Sequence, residues 1–133
     1  MKCYSPILIL APHTDDGELG CGGLISYYVE QGVEVYYAAF SNAHTSLPPE
    51  YPKDTLIHEV TAATSVLGIP NKNLLLYDFP ARHFPEKRQE ILQQMIELRT
   101  DIAPQLVLCP SLNDVHQDHQ TIAQEALRCF KKQ

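Results

Sequence analysis

Ser5-Pro6-Ile7-Leu8-Ile9-Leu10-Ala11-Pro12-His13-Thr14-Asp15-Asp16-Gly17 is the stretch from which the fold can be read. Ile7 to Ala11 is a continuous apolar run, of the length and residue type that suits a strand buried on both faces. Pro12 ends it, because proline has no N–H to give to a sheet ladder. One imidazole and two carboxylates then follow between His13 and Asp16. Open α/β sheets place their ligands beyond the carboxyl ends of their strands, so polar groups this dense at that point read as half of a metal site.

Outward from this strand the chain alternates. The glycines Gly17, Gly20, Gly22 and Gly23 precede a helical pattern over residues 24–31, closed by Gly32. A β-branched and aromatic strand spans 33–40, and the proline-bearing stretch 41–53 reads as a loop. A helix is expected over about 54–67, with Leu56, Val60, Ala63 and Leu67 on its core face and Gly68 at its end. A short strand, 74–77, and a proline-punctuated loop lead to a third helix over 86–100, with Ile91, Leu92, Met95 and Ile96 facing inward. Residues 105–109 form a fourth strand, ended by Pro110. The last helix starts near Asp118, with an apolar stripe of Ile122, Ala123, Ala126, Leu127 and Phe130. Four successive βα units predict an α/β fold with a Rossmann-like parallel sheet, right-handed crossovers and helices on both faces. No linker divides the chain, so residues 1–133 read as a single domain.

The composition narrows the class. With 133 residues and 44% hydrophobic content, one compact core is affordable. No apolar run approaches the ~18 residues of a membrane span. Residues 1–4 lead straight into a strand without the pattern of a signal peptide. The formal charge of −6 argues against nucleic acid or anionic membrane as a partner. Cys3, Cys21, Cys109 and Cys129 form no Cys-x-x-Cys pair, a usage that fits reduced thiols in the cytoplasm, most of them small apolar fillers.

Two polar clusters carry the chemistry. In the first, a turn leaving the strand can aim His13 and Asp16 at one point, and imidazole nitrogen with carboxylate oxygen suits Zn²⁺ or another divalent metal. The second, Asn113-Asp114-Val115-His116-Gln117-Asp118-His119, follows the fourth strand as the first cluster follows the first. His116 and His119, three apart at a helix start, point to roughly the same side. Each cluster alone also fits helix capping, with Asp114 or Asp118 as an N-cap. Two at equivalent strand ends point to a shared site. The glycine spacing does not match G-x-G-x-x-G, so the glycines are expected to let the first helix pack close to the sheet. Asp78 and Arg82 are candidate substrate contacts, to a sugar hydroxyl and to an anionic group.

With both clusters in view, the sequence resembles the PIG-L/LmbE-like N-acetylglucosamine deacetylase family over nearly its whole length. The resemblance rests on residues 11–16 with Glu18 and the glycines, and on residues 110–119. Glu59, Ala62, Ala63, Leu67, Gly68 and Asp78 add to it. It implies a zinc ion held by His13, Asp16 and His119, with Asp15 as general base toward a metal-activated water. It implies His116 as acid and electrostatic partner, oriented by Asp118. The activity so implied is removal of an N-acetyl or other N-acyl group from an amino-sugar conjugate, a metal-dependent amidohydrolase reaction. From a different class, the chain also fits a truncated, catalytically weak metal- or sugar-binding module. Members usually carry an arginine where this chain has Leu56, and usually continue through further strands where it stops at Gln133. A C-terminally truncated fold is therefore expected to leave the edge beyond the fourth strand open or paired with another chain, as in a homo-oligomer.

Overall fold

The computed structural model describes residues 3–131, so residues 1, 2, 132 and 133 of the expected domain, and the first two of the amino-terminal stretch, lie outside the described residues. The elements run β1 (Ile7–Ala11), α1 (Asp16–Glu30), β2 (Val35–Ala39), α2 (Thr55–Val66), β3 (Leu74–Leu76), α3 (Arg88–Ile102), β4 (Leu106–Leu108) and α4 (Gln117–Phe130). All pairings are parallel, in the spatial order β3-β2-β1-β4. In register, Ile7 of β1 stands beside Val35 of β2 on one side and Leu106 of β4 on the other. The chain thus builds outward from β1 in one direction and then returns to its other side. The reversal between β1 and β4 opens a crevice at the strand ends that carry both polar clusters.

Alternation along β1 and β2 divides the core in two, because successive strand residues face opposite ways. Leu8 and Leu10 join Ala38 and Phe40 against Phe84, Ile91, Met95 and Ile122, the side covered by α3 and α4. Ile7, Ile9 and Ala11 join Val35, Tyr37 and Ala39 against Ile25, Tyr28 and Val60, the side covered by α1 and α2. Every residue of β1 is at most 2% exposed, as a strand packed on both faces requires. Between α3 and α4 the fully buried Glu125 is held by Arg88 and Arg128, at 2.7 and 2.6 Å, so its charge is paired.

The main departure from expectation is α1, which begins at Asp16 rather than near residue 24 and takes the glycines into its first two turns. The cause lies on β2. The Tyr37 hydroxyl donates to the Thr14 carbonyl at 2.7 Å and accepts the N–H groups of Gly17 and Glu18 at 3.0 and 3.2 Å. A buried tyrosine thus satisfies helix-start amides that a local capping side chain would otherwise take. Asp15 occupies the cap position but makes no capping bond. Gly17 permits this approach, since a Cβ there would lie 2.5 Å from the Tyr37 ring. The expected close packing therefore holds at Gly17, whereas Gly20 and Gly23 face open space. The helix breaks at Cys21, where φ is −143° and ψ is 24°.

Smaller differences concern faces. On α2 the buried positions are Val60 and Thr64, with Leu56, Ala63 and Leu67 half-buried; Thr64 turns its hydroxyl back to the Val60 carbonyl at 2.8 Å. On α4, Leu127 is exposed, and Glu125 and Cys129 occupy the inward face with Ile122, Ala123 and Ala126. Of the four free thiols, Cys129 is a buried filler and Cys21 is half-buried, while Cys3 and Cys109 are exposed. Among the described residues, no helix is long and apolar enough to cross a membrane.

Candidate metal centre

The loop after β1 and the start of α4 meet at the carboxyl ends of β1 and β4. Asp16 Oδ2 lies 3.2 Å from His13 Nδ1 and 3.3 Å from His119 Nε2, and it also accepts the His13 N–H at 2.8 Å. One donor atom from each of these residues lies within 4.8 Å of the other two. Zinc bonded at 2.0–2.1 Å in a tetrahedron would set its ligand atoms about 3.3–3.4 Å apart, so the two short separations match the edges of such a site. The donor set, two imidazoles and one carboxylate, suits Zn²⁺ and other borderline divalent ions and leaves a coordination position for water or substrate.

The outer contacts strengthen this fit. His13 Nε2 is 2.8 Å from Asp118 Oδ2, and His119 Nδ1 is 2.8 Å from Asp114 Oδ2. Each candidate ligand histidine therefore has its far nitrogen backed by a carboxylate, the arrangement that fixes tautomer and ring orientation in metal sites. A neutral imidazole has one N–H and cannot donate to carboxylates on both sides. His13, set between Asp118 and Asp16, must be protonated or give its Nδ1 lone pair to a Lewis acid. Burial alone would push its pKa down, but the hydrogen bonds and charges of Asp16 and Asp118 outweigh that and hold it above the ordinary histidine value. Burial likewise opposes ionisation of Asp16, yet the bonds from His13 and the proximity of His119 hold its carboxyl below the usual carboxylate range.

Asp118 departs from its expected contact. Its carboxylate is fully buried and accepts from His13 Nε2 and from the backbone N–H groups of Arg82, at 2.6 Å, and Phe84, at 3.2 Å. Its carboxylate meets His13 rather than His116, and its link to His116 runs through the backbone. The cause is its place on the first turn of α4, which aims the side chain inward beneath the loop after β3. His116 is instead held by the Asp118 backbone, whose N–H donates to His116 Nδ1 at 3.1 Å. His116 is thus the helix N-cap, and its neutral ring carries the proton on Nε2. A second grouping of His13, His116 and Asp118 also brings donor atoms together. There Asp118 is already engaged by two peptide N–H groups and His116 Nδ1 by a third, so it fits an ion less well.

The remaining candidates sit differently. Asp15 is exposed at the start of α1, one residue from Asp16, and makes no capping hydrogen bond. Asp78 is exposed after β3. Arg82 has a left-handed backbone, with φ of 71°, that turns its N–H onto Asp118 and leaves its side chain exposed. Glu18, in the first turn of α1, has one oxygen shielded from solvent without a hydrogen-bond partner. Burial, then the charges of Asp15 and Glu59, push its carboxyl up. The His13 ring centroid lies 5.1 Å from that of His116 and 5.4 Å from that of His119, and the His116 and His119 centroids are 4.8 Å apart. Sequence reasoning weighed Asp114 only as a cap. Its signal was its position, five residues before His119 on the loop that enters α4.

A cavity of about 530 Å³ opens beside the centre, in the crevice between α1 and β4. Leu19, Leu24, Leu108 and Pro110 make its walls apolar, and Asp16, Asp114 and His119 also line it. The edge of β4 away from β1 has no partner strand among the described residues. Leu112 and Val115 are exposed in the loop after β4.

Comparison with known proteins bears on the family and the fold. The family model described as PIG-L, GlcNAc-PI de-N-acetylase, matches residues 8–130. Among solved structures, an N,N'-diacetylchitobiose deacetylase from Pyrococcus horikoshii, in complex with an inhibitor, superposes with a TM-score of 0.82 at 22% identity. That match covers 95% of this chain and 49% of the deacetylase. A 4-carboxy-2-hydroxymuconate hydratase from Pseudomonas putida KT2440 gives 0.71 at 22% identity, covering 92% of this chain and 54% of the hydratase. The zinc-inhibited form of a teicoplanin deacetylase gives 0.73 at 16% identity, covering 92% of this chain and 62% of that protein. At these identities the likeness shows the fold. The chain spans about half the length of the first two, at 49% and 54%.

Proposed function

This chain belongs to the PIG-L (GlcNAc-PI de-N-acetylase) family, and from that membership we propose that it is a zinc-dependent hydrolase removing an N-acetyl or other N-acyl group from an amino-sugar conjugate. The observation that carries the reading is the convergence of His13 Nδ1, Asp16 Oδ2 and His119 Nε2, with a carboxylate behind each histidine. When bound, a divalent ion supplies Lewis acidity toward a water and an amide oxygen. The chain's own residues supply the rest. His13, Asp16 and His119 hold the ion. Asp15, exposed and uncommitted to a cap, takes a proton from the attacking water. His116, with Nδ1 engaged by the helix start, donates its Nε2–H to the amide oxygen as negative charge grows there. This assigns His116 the electrostatic half of its expected role. The proton held by Asp15 then passes to the departing nitrogen, so that water is added across the amide: hydroxyl to carbon, hydrogen to nitrogen. Asp78 and the Arg82 guanidinium, both exposed, are the proposed contacts to a sugar hydroxyl and an anionic group. The free thiols support a reducing compartment such as the cytoplasm.

A second reading, from a different class, is a metal- or sugar-binding module of weak turnover built on the same cluster of His13, Asp16 and His119. One experiment separates them. Amine release is followed from N-acetylglucosamine conjugates and longer N-acyl analogues, with the protein loaded in turn with Zn²⁺, Co²⁺, Mn²⁺ and Fe²⁺. Several ions are used because zinc inhibits the teicoplanin relative. Turnover lost in Asp15→Asn supports the hydrolase. Tight metal binding without turnover for any analogue supports the module, and absence of both removes the two readings together.

A further inference from the structure

The proposed centre has a support that neither the family match nor the sequence motif assigns. We infer that Asp114 is a positioning residue: its carboxylate selects the His119 tautomer that turns an Nε2 lone pair toward Asp16, and so sets the affinity for the ion. The inference rests on the metal-site reading above and deepens it.

The argument begins with hydrogen accounting. A carboxylate accepts and does not donate, so the 2.8 Å contact between Asp114 Oδ2 and His119 Nδ1 places a hydrogen on Nδ1. In the neutral ring this leaves the lone pair on Nε2, the nitrogen 3.3 Å from Asp16 Oδ2. A neutral imidazole without such a partner exchanges between tautomers, and one of them presents an N–H to the ion.

Asp114 is itself held in place. Its Oδ1 accepts the His116 N–H at 3.0 Å, its own N–H reaches the Ser111 carbonyl at 3.2 Å, and its carbonyl accepts from Gln120 Nε2 at 2.6 Å. A surface acid free to rotate would give up side-chain entropy to meet His119; here loop and helix start have already fixed it. Asp118 plays the corresponding part for His13, but it is fully buried and also serves the Arg82 and Phe84 N–H groups. Removing it would strand those amides and disturb the fold. Asp114 is half-buried, and its loss leaves one peptide N–H to find water. It is the carboxylate on which the idea can be tested.

Zn²⁺ affinity of the full chain is measured by calorimetric titration, and the ring tautomers of the metal-free protein by long-range ¹⁵N–¹H correlation at mildly alkaline pH. The wild type is expected to bind one ion per chain and to show His119 with its proton on Nδ1. Asp114→Ala should bind 10–100-fold more weakly and show His119 shifted toward the Nε2–H form. Asp114→Asn keeps an accepting oxygen without the charge, and it should recover the tautomer and part of the affinity. Gln120→Ala removes a bond to the Asp114 carbonyl but leaves the carboxylate, and it should bind like the wild type. Unchanged affinity in Asp114→Ala, an Nε2–H tautomer in the wild type, or an equal loss in Gln120→Ala would each overturn the inference. A wild type that binds no ion at all removes the metal-site reading and this inference with it.

Discussion

Asp15 and Asp16 are adjacent and chemically identical, and their surroundings differ. Asp16 Oδ2 faces His13 Nδ1, His119 Nε2 and the His13 N–H, so its negative charge is the centre of the cluster. Asp15 is exposed and forms no capping bond. Asp15→Asn keeps shape but loses its basicity. We expect it to retain Zn²⁺ affinity within a few-fold and to lose roughly 10²–10⁴ in turnover, the usual scale of general acid–base catalysis. Asp16→Asn replaces an anionic ligand by a neutral amide and should weaken ion binding itself. Calorimetry and amide hydrolysis on the same two proteins decide the matter; loss of the ion in Asp15→Asn with retention in Asp16→Asn would reverse the assignment.

At the scale of elements, the first helix and the last strand are the informative ones. α1 starts where it does because a tyrosine of β2 reaches across to Gly17, Glu18 and Thr14. Tyr37→Phe keeps the ring in the core and leaves those groups without their partner. It is expected to cost about 1–3 kcal/mol in denaturant unfolding, and to lower ion affinity because Asp16 and His13 border the freed turn. Gly17→Ala should cost a similar amount, since the added carbon meets the Tyr37 ring at 2.5 Å. A value near zero for both would show that the cap carries no stability. β4 has three residues, one partner strand among the described residues and half-buried side chains, in contrast to the fully buried β1. Its amides are expected to exchange with solvent well before those of β1, and mass-spectrometric hydrogen exchange reads this directly. Protection of β4 equal to that of β1 would mean that another chain covers the edge.

For the molecule as a whole, the centre ties the loop after β1 to the start of α4, 103 positions apart by the numbers of His13 and Asp16 against His116 and His119. An ion bound there stabilises the folded state by mass action, about 2.7 kcal/mol at a hundred times its dissociation constant, or roughly 10 °C in melting temperature for a chain of this size. Zn²⁺ should therefore raise the melting temperature of the wild type and of Asp15→Asn, and a chelator should reverse the rise. Asp16→Asn should respond weakly. An equal rise in all three would place the ion elsewhere. The four βα units, the bounds of β1 and the two polar clusters were legible in the sequence, because they depend on local apolar runs and on the side-chain period of strands and helices. Convergence of the clusters was also legible, since parallel strands deliver their carboxyl ends to one edge. The start of α1 was not, because its cap comes from Tyr37, a residue of another strand. The partners of Asp118 and Asp114 were not either. Spacing along a helix limits where a carboxylate can point, but only the packing of the loop after β3 beneath α4 put the Arg82 and Phe84 amides and the His13 ring around Asp118, and left His116 to the helix backbone.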